Sequence, residues 1–118
     1  MSRIIRTSVL NSAARTTSGQ QEIPLTNDHG NFAVLINVTA ATGTSPTCVF
    51  SIEDSADGTT WFPVKANAAI TAVGQYRVAL TPLDGPTQPR IRLHWVIGGT
   101  TPSFTFTAIG VTRPSMMR

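Results

Sequence analysis

Charge is scarce in this chain of 118 residues: Asp, Glu, Lys and Arg together make up 13%, about half of the ~25% usual in globular proteins. Cysteine is almost absent. The lone Cys48 excludes an intrachain disulfide, and no Cys/His set stands at metal-ligand spacing. In its apolar run Cys48 reads as a small buried hydrophobe. No apolar stretch approaches the ~20 residues of a membrane span. The N-terminus carries Arg3 and Arg6 but lacks the continuous apolar run of a signal peptide. The chain is therefore expected to stay in the cytoplasm or to join something assembled there.

Threonine fills the gap left by charge, with 18 residues, alongside Ser, Asn and Gln. Thr is β-branched and suits a half-exposed pleated surface. With nine Gly and eight Pro, the composition is that of a protein of short strands and tight turns. The length allows one domain. Charge is also uneven. Arg3, Arg6, Arg15, Arg113 and Arg118 give the segments 1–19 and 113–118 a charge of +5, while residues 20–112 hold four bases and six acids, net −2. A weakly acidic body with basic ends is not a uniformly basic nucleic-acid binder.

Residues 1–19 have scattered apolar positions and no convincing helical stripe, and read as an arm that cannot offset its ordering entropy alone. From Glu22 onward the apolar period is two. The pattern predicts strands over Glu22–Thr26, at an edge because of Pro24, and over Asn31–Thr39, Thr47–Asp54, Thr60–Lys65, Gln75–Leu80, Arg90–Ile97 and Ser103–Val111. The inner rows are Phe32, Val34, Ile36 and Val38; Cys48, Phe50 and Ile52; Tyr76, Val78 and Leu80; Ile91, Leu93, Trp95 and Ile97; and Phe104, Phe106 and Ala108. Thr81–Pro89, with three prolines, reads as a surface loop. Thr42–Pro46 breaks the first strong strand, so the flanking runs are expected to form a β-hairpin. Thr42–Ser51 echoes Gly98–Thr107, which suggests two similar hairpins across a pseudo-symmetric core.

Ser55-Ala56-Asp57-Gly58-Thr59-Thr60-Trp61 is similar to the Asp-box turn of sialidase-type propellers, one residue shorter between Asp and Trp. Asp57 can accept backbone N–H groups of its own turn, Gly58 can take positive φ, and Trp61 is expected to plug into the core. A structural role is favoured over sugar binding. Glu53, Asp54 and Asp57 form an acidic cluster without the spacing of a calcium loop, so a solvated turn is expected. No G-x-S-x-G elbow or nucleophile–base pairing is present, and the chain is not expected to be an enzyme. Arg90, Arg92 and His94, with Arg77 on a neighbouring strand, form a basic stripe that reads equally as a solvated face or as a surface for docking an acidic partner. Single-strand nucleic-acid binding would interleave aromatics on that face; here they lie on the opposite row. Asn37-Val38-Thr39 matches a glycosylation sequon by pattern alone.

Four blocks occur in an order that resembles small tailed-bacteriophage virion proteins: Thr42–Thr47, Glu53–Trp61, Ile70–Tyr76 and Arg90–Phe106. The resemblance covers roughly residues 32–112. It implies a β-sandwich component of a particle, such as a capsid decoration (cement) protein, with no catalytic residues to carry over.

The expected fold is all-β, an antiparallel β-sandwich of jelly-roll-like character. It has an extended N-terminal arm (1–19), a sandwich domain (20–112) and a basic C-terminal tail (113–118). The expected function is a virion structural protein that binds and stabilises the capsid exterior, with no cofactor or metal. A tail or head–tail joining component is one alternative and a carbohydrate-binding module another. The partner would be the major capsid protein or another virion protein, with homo-oligomerisation and without membrane or nucleic acid. Arg3, Arg6 and Arg15 would pair with acidic patches, while Ile4, Ile5, Val9 and Leu10 bury apolar surface at roughly 1.5–3 kcal/mol for each large aliphatic side chain. Arg77, Arg90, Arg92 and His94 complete the candidate contact set.

Overall fold

The computed structural model describes residues 5–23, 32–80 and 90–112. These form six strands and no helix: β1 (Ile5–Arg15), β2 (Gly19–Ile23), β3 (Phe32–Ser55), β4 (Phe62–Ala66), β5 (Gly74–Leu80) and β6 (Arg90–Thr112). All pairings are antiparallel. Predicted edges such as Pro24 and the loop 81–89 lie outside the described residues, as does the tail from 113.

The expected hairpin between Asn31–Thr39 and Thr47–Asp54 does not form. Those runs are two ends of one continuous strand, β3, which pairs along its length with β6. Residues 32–42 of β3 lie against 103–112 of β6, and residues 47–55 lie against 90–98. The two echoing strings meet at mid-strand, where Thr44 opposes Thr100 and the register shifts on both sides. A turn would reverse the chain; here the extra residues form facing bulges, which bend paired strands together.

The bend has near-perfect internal reciprocity. Gly43 has φ +115° and Gly99 has φ +113°, followed two residues later by Ser45 at +48° and Thr101 at +45°. A Cβ on Gly43 would sit 2.7 Å from the Thr101 carbonyl oxygen and 2.9 Å from Pro102 Cα. One on Gly99 would meet the Ser45 oxygen and Pro46 Cα at the same distances. The expected pseudo-symmetry is therefore present, built from two bends rather than two hairpins.

The bend folds the sheet into two layers. The first holds β1, residues 103–112, residues 32–42 and β5; the second holds β2, residues 90–98, residues 47–55 and β4. Trp95 and Phe106, eleven positions apart on β6, would be roughly 36 Å apart on a straight strand at ~3.3 Å per residue. Their ring centroids are 5.7 Å apart. Phe50 packs edge-on to Phe106 at 4.9 Å. Both layers thus face one core.

Apart from Phe32 and Leu80, whose side chains lie outside the described set, the alternation delivers that core as expected. Val34, Ile36, Val38, Cys48, Phe50, Ile52, Val78, Ile91, Leu93, Trp95, Phe104, Phe106 and Ala108 are buried, with Tyr76 and Ile97 packed partly against them. Ile70, between β4 and β5, also enters the core, anchored by reciprocal backbone hydrogen bonds with Cys48 of 2.8 and 2.9 Å. Burial pushes the Cys48 thiol up to about 12, so it behaves as a packing group rather than a nucleophile.

The N-terminal segment departs from the arm reading. From Ile5 to Arg15 it is a strand paired with residues 104–112 of β6, with two register shifts. Val9 is buried and Leu10 packs against the core. The edge of β6 supplies a hydrogen-bond ladder that offsets the ordering entropy the segment could not meet alone. Arg15 fastens the end of the strand. Its guanidinium lies over Phe106 at 4.5 Å and Trp95 at 5.7 Å, and donates to the carbonyls of Phe106, Ala13 and Asn11, each at 3.0 Å. After Arg15 the chain crosses to the other layer. Trp95 Nε1 donates to the Thr17 carbonyl at 3.3 Å, and Ser18 Oγ accepts the Ile97 N–H at 2.9 Å.

Candidate functional site

The expected contact residues divide among five settings. Arg3 and Ile4 lie outside the described residues, and Ile5 and Arg6 sit in the β1 ladder. Val9, Leu10 and Arg15 are engaged inside the domain, so they are not the outward-reaching set expected of an arm.

Arg90, Arg92 and His94 project from the outer face of the second layer, as the period-two pattern requires. They do not form an unopposed basic stripe. Arg90 makes a two-point contact with Glu22: Nε to Oε2 at 2.9 Å and Nη2 to Oε1 at 2.7 Å. Arg92 Nε donates to Glu53 Oε1 at 2.6 Å, and His94 Nδ1 lies 3.5 Å from Glu53 Oε2. Register explains the pairing, since Glu22 and Glu53 both oppose Arg92 from the two flanking strands. The Arg90 guanidinium holds the Glu22 carboxyl below the usual carboxylate range, mainly through the hydrogen bond. The face on which docking to an acidic surface is expected therefore carries its own acids.

Arg77 is not beside this stripe. It lies on β5 opposite Leu35, in the first layer, while Arg90 to His94 oppose residues 51–55 in the second. Arg77 has no acidic partner among the described residues. It lines an open groove of about 440 Å³ with Leu35, Asn37, Gln75, Thr107 and Ile109, flanked by Ile36 and Tyr76. The groove was not legible as a site, because its residues come from three strands separated by up to 74 positions in sequence.

Trp61 also departs from expectation. It is half-buried, outside the core, with its ring 4.4 Å from the Arg92 guanidinium. β4 begins only at Phe62, so Trp61 belongs to the loop and covers the outer face by a cation–π contact. Its neighbour Phe62 is 55% exposed.

The Ser55–Thr60 turn is built as its sequence predicts. Asp57 Oδ1 accepts the N–H groups of Thr59 and Thr60 at 2.8 and 2.9 Å, and the Ser55 hydroxyl donates to it at 3.1 Å. Ser55 Oγ accepts from the Asp57 and Gly58 amides at 3.2 and 2.8 Å, and Ser55 is wholly buried. These donors hold the Asp57 carboxyl below its ordinary 3.8, the Thr60 and Thr59 amides contributing most. A carboxyl depressed in the folded state stabilises the fold above the unfolded value, and that contribution fades as pH falls through the folded one. Asp57→Asn keeps an acceptor but removes the charge, and is expected to flatten the pH dependence of Tm below about 4. Thermal melts from pH 2 to 7 check this; an unchanged acid limb in the variant would show that the turn is not a source of acid sensitivity.

The acidic cluster does not converge. Glu53 faces Arg92 and His94, Asp57 closes its own turn, and Asp54 is buried. Among the described residues no group of three or more His, Cys, Asp or Glu could hold a metal ion.

No protein-family model matches the sequence, and no curated protein is similar to it. Two solved structures share its architecture. One is the CBM22-1–GH10 modules of Clostridium thermocellum endo-1,4-beta-D-xylanase 10B complexed with xylohexaose, at 14% identity and TM-score 0.50 over 95% of this chain. The other is a chain of infectious bursal disease virus, Gx strain, at 14% identity and TM-score 0.51 over 97% of this chain. The chain spans about a quarter of the first and a third of the second, and likeness at this level bears on the fold alone: all-β and antiparallel.

Proposed function

We propose that this chain is a structural component of a virus particle, a decoration or cement protein on the outside of a tailed-phage capsid. One observation carries the reading: the four sequence blocks that resemble small phage virion proteins coincide with the features that build this fold. Thr42–Thr47 and the centre of Arg90–Phe106 form the reciprocal bend. Glu53–Trp61 forms the Ser55–Asp57 turn. Ile70–Tyr76 supplies the Cys48 bridge and the start of β5. The resemblance is thus one of framework, not of isolated strings. The shared architecture with a chain of a virus is in keeping with it.

The mechanism differs from a reaching arm. Val9, Leu10 and Arg15 make the domain rigid from within, so capsid contacts fall on the outer faces and free edges. Exposed apolar side chains include Phe62 on β4, Val96 on β6 and Val73 just before β5. β1, β2, β4 and β5 each pair on one side among the described residues, which leaves edges for a capsid subunit or a second copy of this chain. Modest contacts repeated over many symmetric copies reinforce a lattice strongly.

Quantitative mass spectrometry of purified particles tests the reading. Copies comparable in number to the major capsid subunit are expected. A handful per particle would place the chain at the tail or head–tail junction instead, and absence from the particle would end the virion assignment.

A further inference from the structure

The outer face of the first layer carries a groove that the exposed Phe62, Val73 and Val96 do not line. Positions opposite the buried row of β3 point outward, and so do their neighbours on β5 and β6. Register aligns them in two cross-strand rows: Arg77–Leu35–Ile109, and Gln75–Asn37–Thr107. Together they line the groove of about 440 Å³, within the size range of small-ligand sites.

The floor lies mid-sheet. Residues 32–38 of β3 are already paired with β5 on one side and β6 on the other. A peptide strand adding to a sheet needs unpaired backbone groups at an edge, and the floor offers none. Recognition here must come from side chains: one guanidinium, two carboxamides, one hydroxyl and two aliphatic groups. Among the described residues none of the lining is acidic, in contrast to the second layer, where each arginine meets a glutamate.

That set matches one ligand chemistry. A guanidinium with no acidic partner among the described residues can take a carboxylate through two parallel hydrogen bonds. A carboxamide donates and accepts at once, as a vicinal diol requires. Leu35 and Ile109 offer apolar surface to the C–H face of a sugar ring. We propose that this groove binds an acidic oligosaccharide, Arg77 taking a uronic-acid carboxylate while Asn37, Gln75 and Thr107 take ring hydroxyls. The site does not depend on the chain being a virion protein.

Isothermal titration of the full chain with a galacturonate trimer, a neutral xylose trimer and a glutamate tripeptide tests the proposal. The galacturonate trimer is expected to bind, and the other two at least tenfold more weakly. Arg77→Gln should weaken galacturonate binding at least tenfold, and Asn37→Ala severalfold. Both positions are exposed, so thermal melts of the variants should match the parent. Absence of galacturonate binding at millimolar concentration, equal binding of the neutral sugar or the acidic peptide, or affinity unmoved by Arg77→Gln would each overturn the assignment.

Discussion

Gly43→Ala and Gly99→Ala should each destabilise the domain by about 3 kcal/mol or more, since positive-φ strain and a backbone clash act together. Both glycines occupy φ values near +115°, and the methyl group would meet backbone atoms of the facing strand at 2.7–2.9 Å. No side chain can swing away to relieve the contact. In a domain whose whole stability is about 5–15 kcal/mol, this is a large fraction, and Tm should fall by about 10 °C or more. The double variant should cost less than the two single losses combined, because either substitution already distorts the same crossing. Chemical denaturation of the three variants checks this. Single losses below about 1 kcal/mol would mean that the bend relaxes freely and does not define the fold.

Phe106→Ala should be of similar size, about 3–5 kcal/mol by loss of transfer energy and creation of a cavity. Phe106 is wholly buried and stands where the layers meet. It touches Phe50 edge-on, faces Trp95 and lies under the Arg15 guanidinium. Its removal therefore weakens the contact between layers and the anchor of β1 at once. Trp95 fluorescence should shift to longer wavelength as water reaches the indole. A variant with parental Tm and an unshifted Trp95 spectrum would place Phe106 outside the interlayer core.

Strand identity and burial were legible because they follow a two-residue period, visible in Val34, Ile36 and Val38 as in Ile91, Leu93 and Trp95. The Asp57 turn was legible because its chemistry is local. Connectivity was not. Gly43 and Gly99 carry the same turn signal as a hairpin, and which outcome follows depends on whether another strand with its own bend lies opposite, a fact set by pairing over some 56 residues. The same limit governs charge. Arg90, Arg92 and His94 read as an open basic row because Glu22 and Glu53 become their neighbours only through register. Trp61 looked like a core residue by type, yet it lies one position before β4 begins and finds Arg92 instead. The N-terminal segment lacked a clean alternation because β1 shifts register twice, which moves Val9 and Leu10 off a simple period.

Cross-strand proton contacts in a nuclear Overhauser spectrum test the through-going pairing most directly. Thr44 should contact Thr100, and the ring protons of Trp95 and Phe106 should contact each other. Ladder contacts between residues 32–39 and 47–54 of β3 itself, with none between Trp95 and Phe106, would restore two separate hairpins and contradict the bent-sheet architecture.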